Sequence, residues 1–134
     1  MLSKKTKYGL KALVYIAKQE SKIIPISDIS ESESISKKFL ENILLTLKQN
    51  GVLGSKQGKS GGYYLINKPS ETKLSKVMRT LEGPIAMVPC VSLNFYEKCD
   101  DCPDEYLCAV HGLMEEVRDA SLNVFNNKTL ADLI

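Results

Sequence analysis

The chain has 134 residues, 25% of them charged and 43% hydrophobic, with a formal net charge of +2. That length holds one domain, or one domain with an appended dimer element, and the hydrophobic fraction excludes wholesale disorder. The longest apolar run, Ala12–Ala17, falls far short of the ~18 residues of a membrane span.

The N-terminus lacks a signal-peptide core, so a cytoplasmic protein with no membrane partner is expected. Four cysteines without an export signal favour metal or redox chemistry over a disulfide framework. The charge is unevenly placed. Residues 1–80 carry 15 Lys/Arg and 6 Asp/Glu (+9), whereas residues 81–134 carry 3 and 10 (−7). A basic first part joined to an acidic second part fits a polyanion partner for the first alone, or simply a solvated lysine-rich surface.

In chain order, Tyr8, Leu10, Leu13, Val14, Ile16 and Ala17 recur at helical spacing and predict an amphipathic helix over 4–19. Ile23–Ile26, interrupted by Pro25, reads as an edge strand or turn. Ser27 to Glu33 reads as a short helix with Ser27 as N-cap, followed by a turn at Ser34-Ile35. Ser36 caps a further helix that runs to Asn50 and ends at Gly51. Its apolar stripe is Phe39, Leu40, Ile43, Leu44 and Leu47, which leaves Lys37, Lys38, Glu41, Asn42 and Lys48 outside. Two short helices about a tight turn fit a helix-turn-helix.

Val52 to Ile66 places hydrophobic ends around a Gly/Lys-rich tip and predicts a β-hairpin, the wing of a winged helix-turn-helix. Its tip suits phosphates or a minor groove. Gly58-Lys59-Ser60 echoes a phosphate-binding loop, but Leu53 occupies the position where that motif requires glycine. Leu74–Leu81 predicts a helix with Val77, Met78 and Leu81 inward, ended by Gly83-Pro84. Residues 84–103 read as a loop. A last long helix is expected to begin near Pro103, with Tyr106, Val110, Leu113, Val117, Ala120 and Val124 as a heptad seam. That seam fits a homodimer, or packing against its own domain. Residues 129–134 add a short helical turn.

All four cysteines and the only histidine lie within 22 residues, as Cys90-x8-Cys99-x2-Cys102-x5-Cys108-x2-His111. Thiolates and imidazole are soft to borderline ligands that suit iron–sulfur clusters or zinc. A cluster could take three cysteines plus His111 or an outside ligand. Zinc could take Cys99, Cys102, Cys108 and His111. Cys99 and Cys102 could form a metal-free redox pair, or the thiols could be unliganded. Asp100, Asp101, Asp104 and Glu105 would raise the thiol pKa values, which favours a bound metal over bare thiolates.

Lys7-Tyr8-Gly9-Leu10, Ile26-Ser27-Asp28-Ile29-Ser30, Ile35-Ser36 through Phe39-Leu40-Glu41, Leu47-Lys48-Gln49-Asn50-Gly51, Gly61-Gly62-Tyr63 and the cysteine loop occur in that order. This arrangement resembles the IscR/NsrR-like ("Rrf-two" type) bacterial regulators. The resemblance implies a mainly α fold with a β-hairpin wing, built as a winged helix-turn-helix plus a long C-terminal dimerisation helix. By position it implies Cys90, Cys102 and Cys108 as ligands with His111 as the fourth, and Cys99 as an alternative. Histidine ligation points, by resemblance, to a [2Fe–2S] cluster, with zinc as the alternative cofactor. An acidic ligand used by some relatives falls here at Lys7, which cannot serve. In the wing, Gln57 stands where the resemblance leads one to expect an arginine.

The expected organisation is a DNA-binding domain over 1–82, a ligand loop over 83–103, and a dimerisation helix and tail over 104–134. Ser36, Lys38, Glu41 and Asn42 are expected against bases and phosphates of double-stranded DNA, where Glu41 can accept from cytosine and Asn42 can pair with adenine. Lys5, Lys37, Lys56 and Lys59 are expected on phosphates, with Gln57 and Gly61 in the wing. The expected function is a dimeric transcriptional repressor whose operator binding follows an iron–sulfur cluster sensing cluster supply, NO, iron or redox state. The alternatives are a zinc-bound or metal-free regulator controlled by a thiol or a partner, and an iron–sulfur electron carrier. No enzyme is expected, since His111 is the only histidine.

Overall fold

A computed structural model describes residues 2–20 and 22–134. Among these residues five α-helices and one hairpin follow in order: α1 (Lys4–Lys18), α2 (Ile26–Glu33), α3 (Lys37–Gln49), β1 (Leu53–Lys56), β2 (Gly62–Leu65), α4 (Leu74–Leu81) and α5 (Ala109–Asn127). Short 3₁₀ turns at Pro69–Glu71, Pro89–Val91, Glu105–Leu107 and Leu130–Leu133 join or follow them. The fold is therefore mainly α with a two-stranded wing, as the sequence pattern implies.

The core forms around α3. Leu40, Ile43, Leu44 and Leu47 are buried on one face and meet Ala12, Leu13 and Ile16 of α1, Ile29 of α2, and Val77 and Leu81 of α4. Burying each such side chain contributes roughly 1.5–3 kcal/mol. Ser36 caps α3 by accepting from the Phe39 N–H at 3.2 Å, as expected. Phe39 is turned further outward than its stripe implies, and its ring meets Tyr8 edge-on at 5.6 Å.

Ser27 is not the N-cap of α2. That place belongs to Pro25, and the helix begins at Ile26, so Ser27 lies inside the first turn. Ser34 closes α2 in the left-handed region (φ 53°), and the Ser30 hydroxyl donates to the Ile35 carbonyl at 2.6 Å. This sharp turn sets α3 against α2.

β1 and β2 pair antiparallel with Leu53 opposite Leu65 and Lys56 opposite Gly62. Ile24 pairs with the other edge of β2 through a bridge to Tyr63, with N–H···O distances of 2.8 Å in both directions. A Cβ on Gly62 would stand 2.3 Å from the Ile24 carbonyl oxygen, so only glycine allows that backbone approach.

Two features tie the ends of the chain to this core. The hydroxyls of Ser3 and Thr6, at the start of α1, donate to the Glu82 carboxylate just past α4. After α5 the tail returns: Leu74 donates to Lys128, Leu130 donates to Thr72, and Leu130 is fully buried in the core of the first 82 residues. The last long helix starts at Ala109 and not near Pro103, because residues 105–107 form a separate 3₁₀ turn and Cys108 is the N-cap. Among the described residues, no helix is long and apolar enough to cross a membrane.

Gly62→Ala is expected to destabilise the fold by about 1–3 kcal/mol, read as a lower urea midpoint, because the Ile24–Tyr63 bridge must open. The Thr6 and Ser3 hydrogen bonds hold the Glu82 pKa below its ordinary value. Their contribution is therefore present at neutral pH and is lost as pH falls through the depressed native pKa. Glu82→Gln is expected to lower stability at pH 7 and to flatten this part of the acid limb in urea titrations at pH 3–7.

Candidate functional site

Two groups of residues stand out. The first is the outer face of α3 with the wing. Lys37, Lys38, Glu41, Asn42, Leu45 and Lys48 are exposed, because the opposite face of the helix is taken up by the core. A groove of about 420 Å³ between α3, the start of α2 and the wing is lined by Lys37, Lys48, Lys56, Gln57 and Gly61, among others. Ser36, Lys38, Glu41 and Asn42 lie outside that lining, and Lys59 stands exposed near the wing tip. Ser36 spends its hydroxyl on the helix cap, so it positions α3 besides facing outward. Lys5 lies in the first turn of α1, away from the groove. Sequence reasoning left Lys48 off the list of contacts, although its place outside the apolar stripe was readable; Ser27 also lines the groove.

The second group is the cysteine loop against the start of α5. Cys90 sits in the Pro89–Val91 turn, and its Sγ lies 3.4 Å from His111 Nδ1. Tetrahedral Zn–S and Zn–N bond lengths place two ligands of one ion ~3.5 Å apart, so this pair already has the separation of neighbouring donors. The Cys108 Sγ accepts from the His111 backbone N–H at 3.4 Å and caps α5. Hydrogen bonding to Cys90 pushes the Cys99 thiol pKa up, with desolvation adding to it. Burial, then the neighbouring Cys108, pushes Cys102 up. The structure thus brings all four cysteines and His111 into one neighbourhood. Donor chemistry and the Cys90–His111 separation fit a soft metal centre. Among the described residues, however, no three Cys, His, Asp or Glu side chains form a group that could hold a metal ion.

Arg118 fixes this loop to α5. Its Nη1 donates to the Val91 carbonyl at 2.9 Å, one residue from Cys90, and its Nη2 pairs with Asp119. Tyr96 donates to Glu105 across the loop, which pushes the phenol up to about 12. Neither Arg118 nor Tyr96 carries a sequence signal that marks it for this work.

The expected seam of α5 remains largely uncovered. Val110, Leu113 and Val124 are about half exposed, Tyr106 and Leu107 almost fully, and only Leu122 is buried. Tyr106 precedes the helix, and Leu122 lies off the expected seam.

A family model described as Rrf2, iron-dependent transcriptional regulator, matches residues 2–134. The chain belongs to the Rrf2 family. An rrf2-like HTH-type transcriptional regulator of Rhodobacter capsulatus is 38% identical to this Rrf2 chain, covering 100% of it and 92% of the relative. The HTH-type transcriptional regulator IscR of Cronobacter sakazakii is 28% identical, covering 99% of this chain and 79% of that protein. Among solved structures, CymR, the global cysteine regulator of B. subtilis, superposes with a TM-score of 0.80 at 29% identity, over 99% of this chain and 95% of that one. This Rrf2 protein is accordingly a transcriptional regulator of the winged-helix type.

Arg118→Ala is expected to release the cysteine loop from α5. Amide hydrogen exchange at residues 89–97 should speed up by about fivefold or more, the equivalent of one net hydrogen bond, with α1–α4 unchanged.

Proposed function

We propose that this chain is a homodimeric Rrf2 regulator whose binding to operator DNA is controlled by an iron–sulfur cluster held by Cys90, Cys102, Cys108 and His111, with Cys99 as the alternative ligand. The observation that carries the reading is the gathering of all four cysteines and the only histidine at the joint between the winged helix and α5. The first 82 residues read DNA, the loop over 83–103 and the start of α5 hold the donors, and α5 supplies the dimer contact.

On DNA, the polar face of α3 enters the major groove. Lys38, Glu41 and Asn42 meet base edges, and the Ser36 cap holds the N-terminal turn near the backbone. Lys37, Lys48 and Lys56 line the groove beside it and take phosphates, as do Lys59 near the wing tip and Lys5 in the first turn of α1. Gln57 and Gly61 let the wing tip approach the duplex closely.

The exposed Val110, Leu113 and Val124 of α5 are covered in this reading by the same face of a second copy. When bound, the cluster supplies a centre that is labile to oxygen and nitric oxide. The chain's own groups convert the state of the loop into geometry. Arg118 and the Cys108 cap tie the donors to the N-terminal half of α5, and the 128–130 tail ties the other end of α5 to the DNA-binding core. An ordered loop therefore fixes the angle between two recognition helices, whose half-sites lie ~34 Å apart.

The same regulator working without a metal is a second reading. It is favoured by the lack, among the described residues, of a three-donor group that could hold a metal ion, and by the likeness to CymR.

Anaerobic purification with iron, sulfide and zinc analysis separates the two readings. Brown protein with matched iron and sulfide is expected, and Cys90→Ala is expected to lose it while Cys99→Ala keeps it. On DNA selected by the holo form from a random pool, the holo form is expected to bind at least about tenfold more tightly than the apo form. Lys48→Ala should reduce the salt slope of that binding by about one. Colourless protein after cluster reconstitution, or equal DNA affinity of both forms, would overturn cluster control.

A further inference from the structure

The His111 ring is used on both sides. Its Nδ1 faces Cys90 Sγ at 3.4 Å, and its Nε2 lies 3.2 Å from Glu115 Oε1. Its side chain is only 13% exposed, while Glu115, one turn further along α5, is 47% exposed and anchored on the same face. An ionised carboxylate only accepts hydrogen bonds. In the neutral imidazole the Glu115 contact therefore requires the hydrogen on Nε2, and leaves the Nδ1 lone pair facing Cys90 Sγ.

We infer that Glu115 is a positioning residue that selects the Nε2–H tautomer of His111, so that Nδ1 is the nitrogen offered to the cysteine site. The inference deepens the proposed function and rests on its assignment of His111 as a donor. The physical basis is general. A histidine ligand is oriented by the partner of its other ring nitrogen, and a carboxylate partner also raises the basicity of the ligating nitrogen. The opposite tautomer would place a second hydrogen-bond donor against Cys90 and leave Nε2, without a hydrogen, against a carboxylate. Glu116 is exposed and makes no hydrogen bond or ion pair with His111 among the described residues, so it serves as a charge-matched control.

Because the chain has one histidine, ring labelling is unambiguous. The test uses the full chain carrying histidine ¹⁵N-labelled at Nδ1 or at Nε2, in wild type, Glu115→Ala and Glu116→Ala. In reduced, metal-free protein at pH 8, the ¹⁵N shifts are expected to report a protonated Nε2 and an unprotonated Nδ1. Glu115→Ala should lower the ratio of the two tautomers by about fivefold, and Glu116→Ala should leave it unchanged. In anaerobically isolated, reduced holo-protein, strong nitrogen hyperfine coupling is expected to follow the Nδ1 label.

A protonated Nδ1 in the wild type, a tautomer ratio indifferent to Glu115, or coupling that follows the Nε2 label would each overturn the inference. Failure of the cluster reading is separately visible as the absence of iron and sulfide, and the metal-free shifts still decide the tautomer.

Discussion

One helix has to satisfy two demands at once, and the rest of the molecule follows from how it does so. The inner face of α3 is filled by Leu40, Ile43, Leu44 and Leu47, which touch α1, α2, α4 and the wing base. Rotating the helix to present a different polar face would pull those side chains into water, at a cost of several kcal/mol. The outward set of Lys37, Lys38, Glu41, Asn42, Leu45 and Lys48 is thus fixed by the core, with no outward contact needed to hold it. The Ser34 turn, the Ser36 cap and the Ile24–Tyr63 bridge then set where α2 and the wing stand beside that face.

The second half obeys a different logic. α5 is amphipathic but buries only Leu122, and its N-terminal half is held by polar contacts: the Cys108 cap, the Arg118–Val91 hydrogen bond and the His111–Glu115 pair. Its far end is secured by Leu130, which belongs to the core of the other half. A helix anchored at both ends, with its apolar face largely open in between, transmits changes in the loop more readily than a helix buried along its length.

Much of this was legible in the sequence, and the reasons are specific. α3 was readable because its stripe, cap and terminal glycine all agree. The hairpin was readable because a Gly/Lys tip separates two apolar runs. The start of α5 was misplaced because Pro103 is a good first-turn residue, whereas the signal that wins is local: Asp104 accepts from the Tyr106 N–H and starts a 3₁₀ turn that stops before Cys108. Ser27 was misread as a cap because Pro25, with no side-chain donor or acceptor, already occupies that position. The grouping of the cysteines with His111 was visible from spacing alone. The parts played by Arg118, Glu115 and the Thr6–Glu82 contact were not, since each depends on a partner brought near by the fold, some of them many residues away.

The N-cap of α5 carries one further consequence. A single sulfur, that of Cys108, both belongs to the donor set and closes the first turn of the helix. Deleting it therefore removes a candidate donor and frays a helix in the same stroke, and the two losses are indistinguishable in an alanine variant. A serine there would separate them. It keeps an acceptor for the His111 N–H, and is the better cap, yet offers a hard oxygen where a soft sulfur stood. At this position the helix cap and the candidate donor set share one atom, and any rearrangement that called that sulfur away would have to find a new way to begin α5.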